Sequence, residues 1–286
     1  AQAQQTDAVV THFAALLTRA EINGASTDGS VSTQQLLDWA ADPNLSGANR
    51  DRATYRALQL GISEFMLARK DYARALIVLE TLMPTLAQGS VEERQRILNN
   101  LSTALVKLGK LPQAELAIQQ ALALSLPASA TLAQLHINQA ALMHAQGQSQ
   151  QSAEAARAGA RIAAQLTDAG PLTRSAIFAS AATLLFQQDA LDDALAASHQ
   201  AIALWQGADQ VDRSTRDSVR TIEANSLLLR GHIVQAVKAF SALAQATSDT
   251  EAAPVRAARA SGYAKALALI DQADAAAQTI LQAQSS

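Results

Sequence analysis

The chain of 286 residues contains no cysteine. Disulfides, thiolate metal sites and cysteine nucleophiles are therefore excluded. Aromatic residues are only 3% of the total, although 49% of the residues are hydrophobic. An interior with so few rings must be built largely from Ala and Leu. Ala has the best helix propensity and lets helices approach closely. There are only six prolines, and most fall where a helix is expected to start. The net charge is −3, from 22 Lys and Arg against 25 Asp and Glu. That balance lacks the basic stripe of a nucleic-acid-binding protein. No apolar run reaches the roughly 18 residues of a membrane span. These absences leave an all-α protein with no nucleic-acid partner and no membrane span in this chain.

What is present is a spacing. Small residues stand five positions after a turn signal at Ala75, Ala114, Ser152, Ala194, Ala236 and Ala276, at intervals of 39, 38, 42, 42 and 40 residues. A near-constant period of this size marks stacked helical hairpins. Breaker-rich loops recur at 44–49, 87–90, 125–130, 167–171, 206–212 and 247–254. Short turns divide each interval into two helices of about 15 residues. These turns lie at Lys70-Asp71, Gly109-Lys110, Gly147-Gln148, Gln188-Asp189, Gly231-His232 and Ile270-Asp271. Ser90 with Glu93, and Ser32 with Gln35, have the spacing of a capping box. Pro112, Pro171 and Pro254 suit the first helical turn. The expected architecture is an α-solenoid of about six antiparallel hairpins over 51–286. Residues 1–50 form an N-terminal helical cap or degenerate repeat, with helices over 6–22 and 32–41.

Little in the sequence points to chemistry. The histidines His12, His136, His144, His199 and His232 form no HExxH or other short metal spacing. No metal or cofactor is expected. The acidic pairs Glu92-Glu93 and Asp192-Asp193 stand at helix starts, where the helix dipole favours a carboxylate. No nucleophile elbow or phosphate-binding glycine loop is present. Arg213, Arg216 and Arg220 share a helix face, but Asp212, Asp217 and Glu223 lie within pairing distance at helical spacing. They read as a solvated charged face, and the chain reads as not an enzyme.

Residues 97–126, ILNNLSTALVKLGKLPQAELAIQQALALSL, resemble a tetratricopeptide repeat of the longer-helix kind found in kinesin light chains and bacterial peptide-responsive regulators. The matching positions are Leu101, Ser102, Leu105, Gly109, Ala114, Ile118 and Ala121. Residues 62–82, 181–201 and 223–243 follow the same pattern, while 139–159 and 263–283 follow it weakly. The resemblance covers about four-fifths of the chain. It specifies fold and says little of function, because such repeats host many functions.

The resemblance implies a right-handed superhelix whose first helices line a concave groove. It also implies that an Asn just before the Leu-small pair contacts a peptide backbone. Asn99 and Asn100 hold that place, Asn138 is their counterpart in the next unit, and Thr103, His144 and Asn225 extend the lining. An amide both donates and accepts, so it suits an extended backbone. The alternative is that these amides bond loops between neighbouring hairpins. The expected function is a noncatalytic scaffold binding a protein or peptide segment. The rival is an extracytoplasmic ligand-sensing domain of a bacterial membrane-anchored kinase or cyclase. The sequence begins AQAQQ, which fits a mature end after signal-peptide cleavage as well as a boundary inside a longer protein. Both suit a periplasmic or extracytoplasmic setting; a cytoplasmic one is the alternative.

Overall fold

The computed structural model describes residues 52–124, 127–167, 169–205, 211–245 and 260–271. The expected N-terminal cap and the anchor Ala276 lie outside them. The helices in chain order are α1 (Arg52–Ala68), α2 (Tyr72–Leu82), α3 (Val91–Lys107), α4 (Leu111–Leu122), α5 (Ala130–Ala145), α6 (Ser149–Gln165), α7 (Pro171–Gln187), α8 (Leu191–Leu204), α9 (Arg213–Leu229) and α10 (Ile233–Gln245). Residues 260–271 are also helical, and no strand occurs among the described residues. The chain divides into two compact units, Ala1–Leu126 and Pro127–Ser286, a subdivision that the sequence period does not announce. The first unit holds the hairpins α1/α2 and α3/α4. The second holds α5/α6, α7/α8 and α9/α10.

Five hairpins close in the same way. The turn residue is left-handed each time: Lys70 (φ 63°), Gly109 (70°), Gly147 (75°), Asp189 (58°) and Gly231 (80°). The N–H after it reaches back five residues, as in Lys110 N to Leu105 O (2.9 Å) and His232 N to Leu227 O (2.9 Å). The left-handed residue itself donates to the carbonyl three before, as in Gly109 N to Val106 O at 3.1 Å. This is the Schellman closure, which satisfies helix-end carbonyls and reverses the chain. Several helix starts carry a side-chain cap, Ser90 where the sequence places one. The Ser90 hydroxyl accepts from Glu93 N (3.1 Å), Ser129 from Leu132 N (3.1 Å), and the Asp212 carboxylate from Thr215 N (2.9 Å).

The small residues mark where the paired helices touch. Seven positions before each left-handed residue stand Ser63, Ser102, Ala140, Ala182 and Ala224; five after it stand Ala75, Ala114, Ser152, Ala194 and Ala236. All ten have 0% exposure. Around these contacts Met66, Leu79, Leu105, Ile118, Leu185 and Phe240 fill the interior. In the second unit the main core is dominated by alanine, including Ala156, Ala163, Ala181 and Ala201. Gly159 continues the close approach. A Cβ there would lie 2.8 Å from the Ala133 carbonyl and 3.0 Å from Ile137.

Within each unit, successive hairpins pack in one register. In the first, α3 contacts both α1 and α2. In the second, α7 contacts α5 and α6, and α9 contacts α7 and α8. First helices thus adjoin first helices, while second helices approach one another less closely. The first helices form the tighter layer of each unit.

Two expectations need correction. The second helix of the first hairpin stops at Leu82 and gives way to a 3₁₀ helix, Met83–Gln88. Pro84 has no N–H to continue the α ladder, and Glu80 O instead receives the N–H of Met83, three residues on. The turn expected at Ile270-Asp271 is helical. Neither is a glycine; a non-glycine residue takes left-handed backbone only at a cost of roughly 1–2 kcal/mol, which Lys70 and Asp189 bear at their turns.

Candidate functional site

The first-helix layer of each unit is the surface on which that unit's candidate residues fall. Its accessible row lies six positions before each left-handed residue: Glu64 and Thr103 in the first unit, Ala141, Thr183 and Asn225 in the second. All five are half-buried. They are short or polar, which leaves the row open beside the closely spaced helices. The row of Asn100 and Asn138, nearly one turn earlier, is deeper. Asn99, Asn100 and Asn138 are 6%, 8% and 6% exposed.

In the first unit the asparagines form a chain between hairpins. Asn99 Nδ2 donates to Asn100 Oδ1 (3.4 Å), and Asn100 Nδ2 donates to Glu64 Oε1 on α1 (3.4 Å). Arg96 pairs with the same oxygen at 2.7 Å. Thr103 Oγ1 donates to the Asn99 carbonyl at 3.0 Å. Asn99, Asn100 and Thr103 are therefore brought together. Asn100 thus ties α3 to α1 of the preceding hairpin, through a helix residue rather than a loop.

The other candidates are dispersed over the second unit. Asn138 Oδ1 accepts from Gln134 Nε2 on its own helix (3.4 Å). His144, exposed at the end of α5, bonds Gln188 in the turn after α7. Asn225 lies on α9, with α7 between it and α5. Its Nδ2 donates to Thr221 O (2.9 Å), and its Oδ1 faces Gly262, where an added Cβ would sit 3.3 Å away. At the matching position of α7, Thr183 Oγ1 donates to Ala179 O (3.0 Å).

The acidic pairs are occupied structurally. Glu93 holds the buried Arg56 at 3.0 Å, Asp193 holds Arg157 at 2.7 Å, and Asp192 holds Arg230 at 2.7 Å. Glu92, fully exposed, has its carboxyl held below the ordinary carboxylate range by its own backbone N–H and by the Ser90 hydroxyl. This is a helix-start environment rather than an acid–base pair. The arginine stripe on α9 is tied by Arg213 to Asp217 at 3.6 Å. Among the described residues, no group of three or more His, Asp or Glu is arranged to hold a metal ion, and no helix is long and apolar enough to cross a membrane.

One feature escapes sequence reasoning: a cleft of about 290 Å³ on the second-helix side of the second unit. Phe178 and Leu185 of α7 lie at its base. Arg157, Ala160 and Arg161 of α6 and Asp193, Ala196, Ala197 and Gln200 of α8 form its sides. The only sequence signal is the i, i+4 spacing of the two arginines on an otherwise alanine-rich helix.

No family model and no curated protein matches the sequence. Solved structures do match in shape. BtubC (BKLC) from P. vanneervenii superposes with a TM-score of 0.50 at 13% identity, covering 89% of this chain and 91% of that one. PlcR from Bacillus thuringiensis, in complex with the peptide PapR7 and DNA, has a TM-score of 0.51 at 11% identity, covering 85% and 89%. A putative kinesin light chain from Podosopora anserina with nearly identical TPR-like repeats has a TM-score of 0.49 at 18% identity, covering 65% and 92%. With its left-handed closures, paired small residues and hairpin-on-hairpin packing, the chain has the fold of the tetratricopeptide-like repeat superfamily.

Proposed function

We propose that this chain is a noncatalytic scaffold that binds a protein or peptide segment along its first-helix layer. The observation that carries the reading is made in each unit by itself: the position six before each turn is half-buried in both hairpins of the first unit and in all three of the second. Thr183 and Asn225 direct their hydrogens to carbonyls of their own helices. A hydroxyl or amide oxygen so oriented still has lone pairs to accept from the N–H groups of an extended segment. The neighbouring small side chains let a backbone approach. A protein of like fold, PlcR, is in complex with a peptide, which accords with this use of the architecture. The net charge of −3 favours carrying over the peptide rather than the DNA.

The test begins with a random-peptide display library selected against the protein. Affinities of the selected peptides are then measured by calorimetry for the parent, for Thr183→Arg with Asn225→Arg, and for Leu116→Arg on a second helix. Bulky charges on the row should weaken binding at least tenfold, and Leu116→Arg should leave it unchanged. Selected peptides that bind the row variant as tightly as the parent remove the function from this face.

A further inference from the structure

We propose that the cleft between α6 and α8 binds a carboxylate carried on an apolar group, either the C-terminal residue of a peptide or a small free acid. The base of the cleft is apolar: Phe178, Leu185 and Ala197 are 2%, 1% and 4% exposed and continue the core of the unit. Ala160 and Ala196 add apolar walls. The rim is cationic. Arg157 and Arg161 both border the cleft. Among the described residues, no carboxylate pairs with Arg161. Arg157 meets Asp193 at 2.7 Å, but both side chains are about two-fifths exposed. Among the residues that line the cleft, two guanidiniums stand against one carboxylate, a positive charge of one at the mouth of an apolar pocket.

That combination selects a chemical class. A bare inorganic anion would leave the apolar base unused. A neutral apolar group would leave Arg161 without a counter-charge. A carboxylate with an apolar substituent satisfies both, because the planar guanidinium fork matches a carboxylate. The volume lies at the lower end of small-ligand pockets, about 300 Å³, and suits one large side chain rather than a long segment. The cleft faces away from the first-helix row, so this inference stands independently of the function proposed above.

The experiment uses N-acetylphenylalanine, its amide, and an acetylated tetrapeptide ending in Phe with a free carboxylate. Binding is followed by NMR shifts of the Ala160, Ala196 and Ala197 methyl groups. The acid should bind at least tenfold more tightly than the amide. Arg157→Gln with Arg161→Gln should reduce acid binding by about 10- to 100-fold, the range expected for a charge-assisted contact. Asp193→Asn should tighten it, because it frees Arg157. A loss of stability alone would not produce that opposite sign, and melts of each variant check the fold. Tighter binding of the tetrapeptide identifies a peptide terminus as the source, and tighter binding of N-acetylphenylalanine identifies a free acid. Equal binding of acid and amide, or no shift at these methyl groups, overturns the proposal. Thr183→Arg should leave cleft binding unaltered, which separates this outcome from failure of the first-helix row.

Discussion

The hydroxyl of Ser152 on α6 donates to the carbonyl of Ala140 on α5 at 2.8 Å. These are the two small residues that mark the contact between the helices of their hairpin, and the bond fixes how near the backbones come. The other described hairpins place Ala at the Ser152 position, so the close approach, more than the hydrogen bond, is the shared requirement. Ser152→Ala should cost no more than about 1 kcal/mol, the net worth of a neutral hydrogen bond. Ser152→Leu overpacks the contact and should cost about 1–3 kcal/mol or more. Thermal melts of the two variants give the order; a Leu variant as stable as the Ala variant would show that the helices have room to spare.

Two helical glycines should respond in opposite ways to the same substitution. Gly61 is exposed and an added Cβ meets nothing within 4 Å, whereas at Gly159 it meets the Ala133 carbonyl at 2.8 Å. Gly61→Ala should stabilise by about 0.5–1 kcal/mol through helix propensity. At Gly159 the same gain is outweighed by an overpacking cost of about 1–3 kcal/mol. Denaturant titration of both variants should show a higher midpoint for the first and a lower one for the second. Equal shifts would falsify the close packing of α6 on α5.

Lys70 and Asp189 occupy left-handed backbone that glycine occupies at the other three described turns. Such a conformation costs a non-glycine residue roughly 1–2 kcal/mol. Glycine recovers this, less about 0.4–1 kcal/mol for its freer unfolded chain. Lys70→Gly and Asp189→Gly should therefore be neutral to stabilising by about 1 kcal/mol, while Gly109→Ala should destabilise by about 1 kcal/mol. A stabilised Gly109→Ala variant would mean that the turn closes differently.

Asn100 separates structural from ligand-facing roles. It is buried and tied to Glu64, so Asn100→Ala should lower stability by about 1–3 kcal/mol, the cost of leaving buried polar partners unmatched. Removing the exposed Arg96 charge from the same carboxylate should cost about 1 kcal/mol or less. A melt and a titration with a display-selected peptide give both readouts. Lost affinity with an unchanged melting temperature would return Asn100 to the binding surface.

Two signals coincide at three of the five closures. A turn residue suited to left-handed backbone stands at Gly109, Gly147 and Gly231, and a small residue follows five positions later. Where the interval stood without a glycine the outcome divides: Lys70 and Asp189 close left-handed, while Ile270-Asp271 is helical. The asparagines were harder to place. The pattern around Leu101-Ser102 identifies the helix and its register, but the burial of Asn100 depends on α1, a helix 36 residues away at Glu64. Thr103 and Asn225 stand on the accessible first-helix row, half-buried. The cleft was not legible, since Arg157 and Asp193 meet only through the packing of two helices around α7.

The alanine core has a calorimetric consequence. Twelve of the twenty buried residues in the main core of the second unit are alanine, and an alanine removes little hydrocarbon from water compared with leucine or phenylalanine. The heat-capacity increment of unfolding follows the apolar area exposed. It should therefore fall below the usual 12–15 cal/mol/K per residue, roughly. A smaller increment flattens the curve of stability against temperature, so the scaffold should lose little stability on cooling.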